Sequence, residues 1–256
     1  MSQSTFDLHR FPRASFVIRM ADDALISGQR LCEWCGQAPT LEEELALANT
    51  ALDLLGRARM LYQYIEQLTG FSEDQLAGLR SVREFQNLLL VELPRGDFAF
   101  TMARQYFLDE FEQLYFGTMV QSVDTTLSGI AEKSVKEIAY HRRRSALWMR
   151  RLARGTEQSR ARLCAAIAAM QDYLPEMFEM DAIEDSLVLE RVAVDRSMIK
   201  EDWQTRVNAL LVDLDIPRVK LSQGQTGGRQ GIHTEYLGHL LGELQYMQRA
   251  YPGLAW

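Results

Sequence analysis

The sequence is poor in histidine, and none of its histidines belongs to the motif of the helical di-iron proteins. Only four occur among its 256 residues, and none has a glutamate or aspartate three positions before it. Helical bundles that hold two irons use Glu-x-x-His on each of two helices, because positions i and i+3 lie on the same side of a helix. The sequence therefore predicts that no complete di-iron site is present.

Other absences narrow the class of protein. Three cysteines are too few for a disulfide framework, which favours a reducing compartment. The sequence has no run of about 18 apolar residues, the length that a membrane span needs, and residues 1–13 lack the apolar core of a signal peptide. A net charge of -7 argues against nucleic acid as a partner, because phosphate binding needs a cationic surface. We therefore expect a cytoplasmic protein that binds neither membrane nor nucleic acid.

Helical periodicity is what the sequence does contain. There is no Gly-rich phosphate loop, no G-x-S-x-G motif and no alternation of strand and helix patterns. The pattern predicts an all-α bundle in a single domain over residues 1–256, with a core at about 20–155 and C-terminal helices at about 156–256. Helices are predicted over about 20–35, 40–68, 97–123, 126–152, 159–178, 200–214 and 234–250, with a short one near 74–78.

Three local interpretations complete this pattern. The apolar run from Leu88 to Leu93 is interpreted as a packed loop rather than a strand. The glycine cluster of residues 224–231 is interpreted as a flexible surface segment. The inward face of the second helix is predicted to include Leu45, Ala48, Leu52, Leu55, Met60 and Ile65.

One segment of the second helix has the form of a metal site in which two ligands are missing. Residues 53–59, Asp-Leu-Leu-Gly-Arg-Ala-Arg, correspond to the bacterial di-iron segment Asp-Glu-Leu-Gly-His-Ala-Arg. Leu54 stands in the place of the glutamate and offers no bridging anion. Arg57 stands in the place of the histidine and is a permanent cation that repels a metal ion.

Further motifs strengthen the likeness. They are Arg-Leu-Cys-Glu-Trp-Cys-Gly at 30–36, Leu-Ala-Leu-Ala-Asn at 45–49, Phe-Gln-Asn-Leu-Leu-Leu-Val-Glu at 85–92, Ala-Arg-Gln-Tyr-Phe at 103–107, Gly-Ile-His-Thr-Glu-Tyr-Leu-Gly at 231–238 and Pro-Gly-Leu-Ala-Trp at 252–256. With the segment around Leu54, they make the chain similar to the PaaC family, the structural subunits of the bacterial ring-1,2-phenylacetyl-CoA epoxidases. The likeness extends over nearly the full chain.

The resemblance implies a ferritin-like helical bundle with additional C-terminal helices and a structural, non-catalytic role in aerobic phenylacetate catabolism. In that family, the structural subunit pairs with a catalytic subunit that holds the di-iron centre, and a third, small subunit joins them. A reductase with FAD and an iron–sulfur cluster delivers electrons from NADPH, and the monooxygenase complex forms the 1,2-epoxide of phenylacetyl-CoA. This chain is thus expected to hold no cofactor itself. Its expected partners are the catalytic subunit, the small subunit, the reductase and, in one alternative, a second copy of itself.

The other half of the degenerate site lies on the third and fourth predicted helices. Asp109 is on the third, and Glu137, Tyr140 and His141 are on the fourth, with tyrosine three positions after the glutamate. One hypothesis is a surviving mononuclear site on Asp109, Glu137 and His141, which would make the chain a metal-binding oxygenase in its own right. The preferred interpretation is a buried salt-bridge cluster in which Arg57 offsets Asp109 or Glu137.

Three further features are given structural interpretations. Cys32 and Cys35 match C-x-x-C, but with no second pair for zinc they are predicted to be packed on one helix face. Thr234 is predicted to cap the last helix, with His233 and His239 at an interface. A solvated helix face is predicted, ahead of a site for CoA phosphates or an acidic partner, for Arg142, Arg143, Arg144, Arg150, Arg151 and Arg154.

Overall fold

The computed structural model describes residues 6–254, and its regular structure in that range is entirely helical. The α-helices are α1 (Pro12–Cys32), α2 (Leu41–Thr69), α3 (Glu73–Gly78), α4 (Leu89–Glu92), α5 (Phe98–Met119), α6 (Thr125–Arg154), α7 (Glu157–Met170), α8 (Ala182–Leu189), α9 (Arg196–Asp213), α10 (Glu235–Leu244) and α11 (Tyr246–Ala250). Short 3-10 helices cover Leu8–Arg10, Val82–Glu84, Gln171–Tyr173, Pro175–Phe178 and Gly228–Gln230. Over these residues, no helix combines the length and the hydropathy that crossing a membrane would require.

Side-chain caps explain why the long middle helices begin close to their predicted residues. The Asp97 carboxylate accepts a hydrogen bond from the Phe100 N–H at 2.8 Å and caps α5. Asp124 accepts from the Thr126 and Leu127 N–H groups, both at 3.1 Å, and caps α6. These bonds satisfy N–H groups that the first turn of a helix leaves without an intrahelical acceptor.

Several helices differ from the sequence prediction. The helix predicted over 159–178 ends at Met170 and is followed by two 3-10 helices, and the one predicted over 234–250 is divided into α10 and α11. The first helix, α1, begins at Pro12, eight residues earlier than predicted, because residues 14–18 are buried on every side and therefore show no helical period. The run from Leu88 to Leu93 contains the short helix α4, so the interpretation as a loop was wrong. The helix α8 was not predicted at all; Asp181 caps it through the N–H groups of Ile183 and Glu184.

The predicted inward face of α2 was wrong. Leu45 and Leu52 are 57% and 66% exposed, and of the six residues predicted to face inward only Ile65 is fully buried. Apolar residues occupy both faces of this helix, so periodicity could not decide which face meets the core. The buried face consists of Leu47, Thr50, Ala51, Leu54, Arg57, Ala58, Leu61, Tyr62 and Ile65.

The chain divides into two compact units. Unit 1 comprises Met1–Arg30, Ala51–Pro94 and Thr226–Trp256. Unit 2 comprises Leu31–Thr50 and Arg95–Gln225. Unit 1 is thus assembled from three separate stretches of sequence, and unit 2 from two. The prediction of a single domain over residues 1–256 stays a prediction.

The core of unit 2 is built around α5. This helix packs against α6, α7 and α9, and it is buried on nearly all sides between Ala99 and Phe111. Trp203 of α9 is fully buried, and its Nε1–H donates to the Phe107 carbonyl of α5 at 3.0 Å. Phe178 packs edge-on against Trp203 with ring centroids 5.4 Å apart. These large side chains anchor the C-terminal half of unit 2 on its central helix.

Unit 1 incorporates the glycine-rich segment that was expected to be a flexible surface loop. Gly227 and Gly228 are buried, which contradicts that interpretation for this part of the segment. Gly231 has a φ of +73° and faces the Arg83 carbonyl so closely that no Cβ would fit there. The segment is therefore shaped by close backbone packing, which composition alone does not reveal.

Candidate functional site

Leu54 and Arg57 both lie on the buried face of α2, each 1% exposed. The leucine has no donor atom for a metal. The guanidinium of Arg57 offers hydrogen-bond donors only and no lone pair for a metal ion. At these two positions the side chains point inward, as ligands would, but their chemistry is unsuited to holding an iron ion.

Asp109 of α5 is fully buried and accepts hydrogen bonds from two neutral donors. Its Oδ1 accepts from the Gln105 Nε2–H at 2.7 Å, one turn earlier on the same helix. Its Oδ2 accepts from the Ser145 hydroxyl of α6 at 2.6 Å. Both carboxylate oxygens are therefore hydrogen-bonded, one within α5 and one between α5 and α6.

The three residues on α6 do not share one environment. His141 is buried, with 2% of its surface exposed, whereas Tyr140 is 50% exposed. Glu137 accepts a hydrogen bond from the ammonium of Lys133 at 2.6 Å, one turn earlier on its own helix. Lys133 is thus a charge partner of Glu137 that sequence reasoning missed, and a Glu–Lys pair at this spacing was a signal available in the sequence. That Arg57 offsets the charge of Asp109 or Glu137 stays a prediction.

Leu54 and Arg57 are unsuited to the ligand set of a di-iron centre. Such a centre needs carboxylates and imidazoles directed at a common point, and here Leu54 and Arg57 contribute no ligand while Tyr140 is half exposed. Across residues 6–254, no group of three or more His, Cys, Asp or Glu side chains is arranged to hold a metal ion.

A second polar pair on the α5–α6 contact was not predicted. The Arg142 Nε–H donates to Glu110 at 2.7 Å, and Glu110 lies one residue after Asp109. Burial, followed by the nearby charge of Glu110, raises the pKa of the Tyr106 phenol. Tyr106 therefore stays neutral and acts as a packing side chain in unit 2.

Unit 1 contains a fully buried ion pair that sequence reasoning also missed. Asp22 of α1 and Arg80 are each wholly buried; Arg80 donates through both terminal nitrogens to both oxygens of Asp22. The Tyr62 hydroxyl of α2 donates to the same carboxylate at 2.7 Å, and the Gln86 N–H donates to it at 2.8 Å. Burial and the charge of Asp22 raise the pKa of Tyr62 well above its usual value, so the phenol keeps its proton.

His233 belongs to a second buried cluster in unit 1. Its Nδ1 lies 2.7 Å from a carboxylate oxygen of Glu92, and its Nε2 lies 2.9 Å from the Phe85 carbonyl. Since a carbonyl and a carboxylate only accept hydrogen bonds, the ring fits best with a proton on each nitrogen. Burial acts to lower the pKa of His233, but the bond to Glu92 and its charge outweigh this, and the pKa is raised.

The prediction that His233 sits at an interface was therefore wrong, since its side chain is enclosed within unit 1. His239 is exposed on α10. Thr234 is at the N-cap of α10 as predicted, but its side chain forms no capping bond, and its N–H donates to Glu92 at 2.6 Å. Glu92, from the short helix α4, thus organises this end of the C-terminal segment.

A third ion pair, between Arg229 and Asp23, joins the C-terminal stretch of unit 1 to α1. Arg229 donates to both oxygens of Asp23, at 3.1 and 2.7 Å, and to the Gln86 carbonyl at 2.6 Å. The Leu88 N–H also donates to Asp23, at 2.7 Å. Burial raises the pKa of Asp23, although Arg229 acts in the opposite direction. Two adjacent aspartates in the middle of the apolar helix α1 were the sequence signal for these clusters.

The cysteines do not pack on one helix face as predicted. Helix α1 ends at Cys32, which is half-buried, and Cys35 lies exposed in the turn that follows. Gly36, with a φ of +73°, continues this turn. Burial, then the neighbouring Cys35, raise the pKa of the Cys32 thiol, which disfavours its reactive thiolate form.

Two comparisons with known proteins identify the family of this chain. A family model described as "Phenylacetic acid catabolic protein" matches residues 2–256. A curated relative, the C subunit of the 1,2-phenylacetyl-CoA epoxidase of Escherichia coli (strain K12), is 42% identical over 243 residues, which are 94% of this chain and 98% of the relative. The resemblance drawn from the sequence motifs and the all-α, ferritin-like fold class are confirmed. The chain belongs to the family of phenylacetic acid catabolic proteins.

Proposed function

We propose that this chain is the structural subunit of a phenylacetyl-CoA epoxidase and catalyses no reaction by itself. The observation that carries the proposal is the pair Leu54 and Arg57, which are buried on α2 where a catalytic relative would place two iron ligands. Identity of 42% to a curated epoxidase component over nearly its whole length supports the same role. The chain then serves aerobic phenylacetate catabolism in the cytoplasm as a scaffold within a monooxygenase complex.

The partners follow from this role. The main one is the catalytic di-iron subunit, which would carry out the epoxidation with NADPH and O2 as co-substrates of the whole system. The small subunit of the complex and a reductase with FAD and an iron–sulfur cluster are further components. A homodimer is the competing arrangement, in which a second copy of the chain covers the exposed leucines of α2.

The docking surface that we propose for the catalytic subunit is the leucine face of α2, formed by Leu41, Leu45 and Leu52. Their side chains are 69%, 57% and 66% exposed. At about 100° per residue, these positions fall within about 40° of one another along the helix. Single exposed leucines are common, but three on one helix face in an acidic protein are typical of an interface that is covered in the assembled state.

Co-purification with the catalytic subunit tests both the role and the surface. We expect the wild-type chain and a tagged catalytic subunit to purify together after co-expression. The variant Leu41→Gln/Leu45→Gln/Leu52→Gln should lose this partner while its unfolding free energy changes by no more than about 0.5 kcal/mol per site, because the side chains are exposed.

A matched control is Leu189→Gln/Met198→Gln/Val212→Gln, since these side chains are also exposed and lie on α8 and α9. It should retain the catalytic subunit. If the wild-type chain does not bind that partner, the proposed role fails; if the leucine variant still binds, only the surface is wrong.

The alternative function, a metal-binding oxygenase using Asp109, Glu137 and His141, makes the opposite prediction for the chain alone. Purified without its partners, it would contain stoichiometric iron by elemental analysis and form epoxide from phenylacetyl-CoA when the reductase is added. We expect neither. Either result would refute the structural role.

A further inference from the structure

The arginines of α6 are not equivalent, and the structure separates them into two sets. Most of them meet an acidic side chain of unit 2. These pairs are Arg142 with Glu110, Arg144 with Glu43, and both Arg150 and Arg154 with Asp213. The interpretation of the whole cluster as a solvated face is therefore too coarse, because four of the six arginines are used within the unit.

The remaining cations lie along one line of α6. In the part of the chain that the structure describes, Lys136, Arg143 and Arg151 form no ion pair, although Arg151 lies over the Trp148 ring at 5.1 Å. At about 100° and 1.5 Å per residue, the three fall within about 80° around the helix and extend over about 22 Å. Neighbouring cations are thus about 11 Å apart along the axis, so each can contact a separate anionic group.

Apolar side chains fill the spaces between these cations. Tyr140 is 50% exposed and Leu147 is 46% exposed, and both lie within the same sector of the helix. The result is a basic stripe, composed of Lys136, Tyr140, Arg143, Leu147 and Arg151. A cationic surface with an aromatic and an aliphatic contact is typical of a protein interface, in which Tyr and Arg are enriched.

The charge of the stripe contrasts with that of the chain. The whole sequence carries a net charge of -7, yet from Lys136 to Arg154 the exposed face of α6 carries cations only. The nearest exposed acid on the helix is Glu132, one turn before Lys136. A local positive field on an acidic molecule attracts an oppositely charged surface and increases its rate of encounter.

We infer that the basic stripe docks an acidic protein partner in a reversible, electrostatically steered contact. The partner surface carries carboxylates about 11 Å apart with an apolar patch between them, matching the helical spacing of the stripe. Two apolar side chains bury too little area for a permanent assembly, which places this contact among small, transient interfaces. The inference goes beyond the proposed role and does not use the leucine face of α2; it draws on the proposed role only for the proteins tested.

Surface plasmon resonance with the immobilised full-length chain tests the stripe. The analytes are the purified catalytic subunit, the small subunit, and the reductase, each measured at low and high salt. For at least one of them, we expect the association rate to fall by about tenfold in the variant Lys136→Glu/Arg143→Glu/Arg151→Glu at low salt, and the difference to vanish at high salt. The control Arg206→Glu/Arg218→Glu/Lys220→Glu changes the net charge equally at exposed sites of unit 2 and should keep the wild-type rate.

Two results would overturn the inference. One is equal association of all three proteins with the stripe variant and the control variant. The other is that the wild-type chain and the control variant bind free coenzyme A, the stripe variant does not, and no protein changes its association rate. The ligand of the stripe would then be a phosphate group rather than a protein. Circular dichroism of the stripe variant and the control variant checks that α6 still folds. If the stripe variant unfolds, the single variant Arg143→Glu replaces it, and we expect a proportionally smaller fall in the association rate. Loss of the catalytic partner from the leucine variant of α2 leaves this outcome unaffected.

Discussion

Two buried aspartates, one in each unit, are held in different ways. Asp22 in unit 1 pairs with the guanidinium of Arg80, 58 residues away in the sequence. Asp109 in unit 2 accepts hydrogen bonds from the amide of Gln105 and the hydroxyl of Ser145, on two helices that follow each other in the chain. Removing the cation of a buried ion pair costs more free energy than removing one neutral hydrogen-bond donor, so we expect the contacts made by Arg80 and by Ser145 to contribute differently to stability.

The two units also differ in which parts of the chain their buried carboxylates connect. In unit 2, Asp109 stands where the family resemblance expects a ligand, and its oxygens join α5 to α6. In unit 1, charged pairs connect three separate stretches of sequence, through Arg80, Arg229 and His233. Buried charge in unit 1 therefore connects distant segments, whereas the hydrogen bonds of Asp109 in unit 2 connect neighbouring helices.

The largest expected effect is at the ion pair of unit 1. Arg80→Met should lower the free energy of unfolding by about 3–5 kcal/mol, because Asp22 is left buried and charged without its cation. Urea denaturation followed by circular dichroism measures this. The matched double variant Asp22→Asn/Arg80→Met removes the stranded charge and should recover part of the loss. A single variant as stable as the double would show that the pair does not act as described.

An intermediate effect is expected at His233, and it depends on pH. Its pKa is raised in the folded chain above the usual 6.5, so the protonated ring stabilises the fold fully below that value. This contribution is lost as the pH rises through the folded pKa. The free energy of unfolding should therefore decline as the pH is raised from about 6 to about 9.

The variant His233→Gln isolates this contribution. Because glutamine does not titrate, the variant should lose the part of the decline that belongs to His233. The control His239→Gln, at an exposed position, should retain the wild-type profile. Identical profiles for wild type and His233→Gln would contradict the assignment.

The smallest effect is expected at Asp109. Ser145→Ala removes one neutral donor to the carboxylate and should lower the free energy of unfolding by about 1 kcal/mol. The same urea titration detects it. The control is Thr126→Ala, at an exposed position in the first turn of α6. A loss as large as that of Arg80→Met would erase the contrast between the units.

The helical class and most long helices could be predicted from the sequence because their caps and periods are local. Asp97 and Asp124 mark the starts of α5 and α6. The buried face of α2 could not be predicted, since Leu45 and Leu47 differ in burial but not in chemistry. Apolar residues that contact a partner lie on the surface of the single chain, and the sequence alone does not distinguish them from core residues.

The candidate site shows the same limit. The positions of Leu54 and Arg57 on the buried face were recognisable because their segment keeps the pattern of a metal-binding relative. The partners of Asp22, Asp23 and Glu92 were not, since Arg80, Arg229 and His233 are between 58 and 206 residues away. Only tertiary packing brings such residues together, and local pattern carries no information about it.

The three-stretch construction of unit 1 has a consequence for the order in which the protein is synthesised. Asp23 and Glu92 leave the ribosome long before Arg229 and His233, which lie in the last stretch of the chain. Until that stretch is made, burying either carboxylate would leave a negative charge without its cation, which disfavours early closure of unit 1. The charged pairs therefore couple the folding of the first two stretches to the presence of the third.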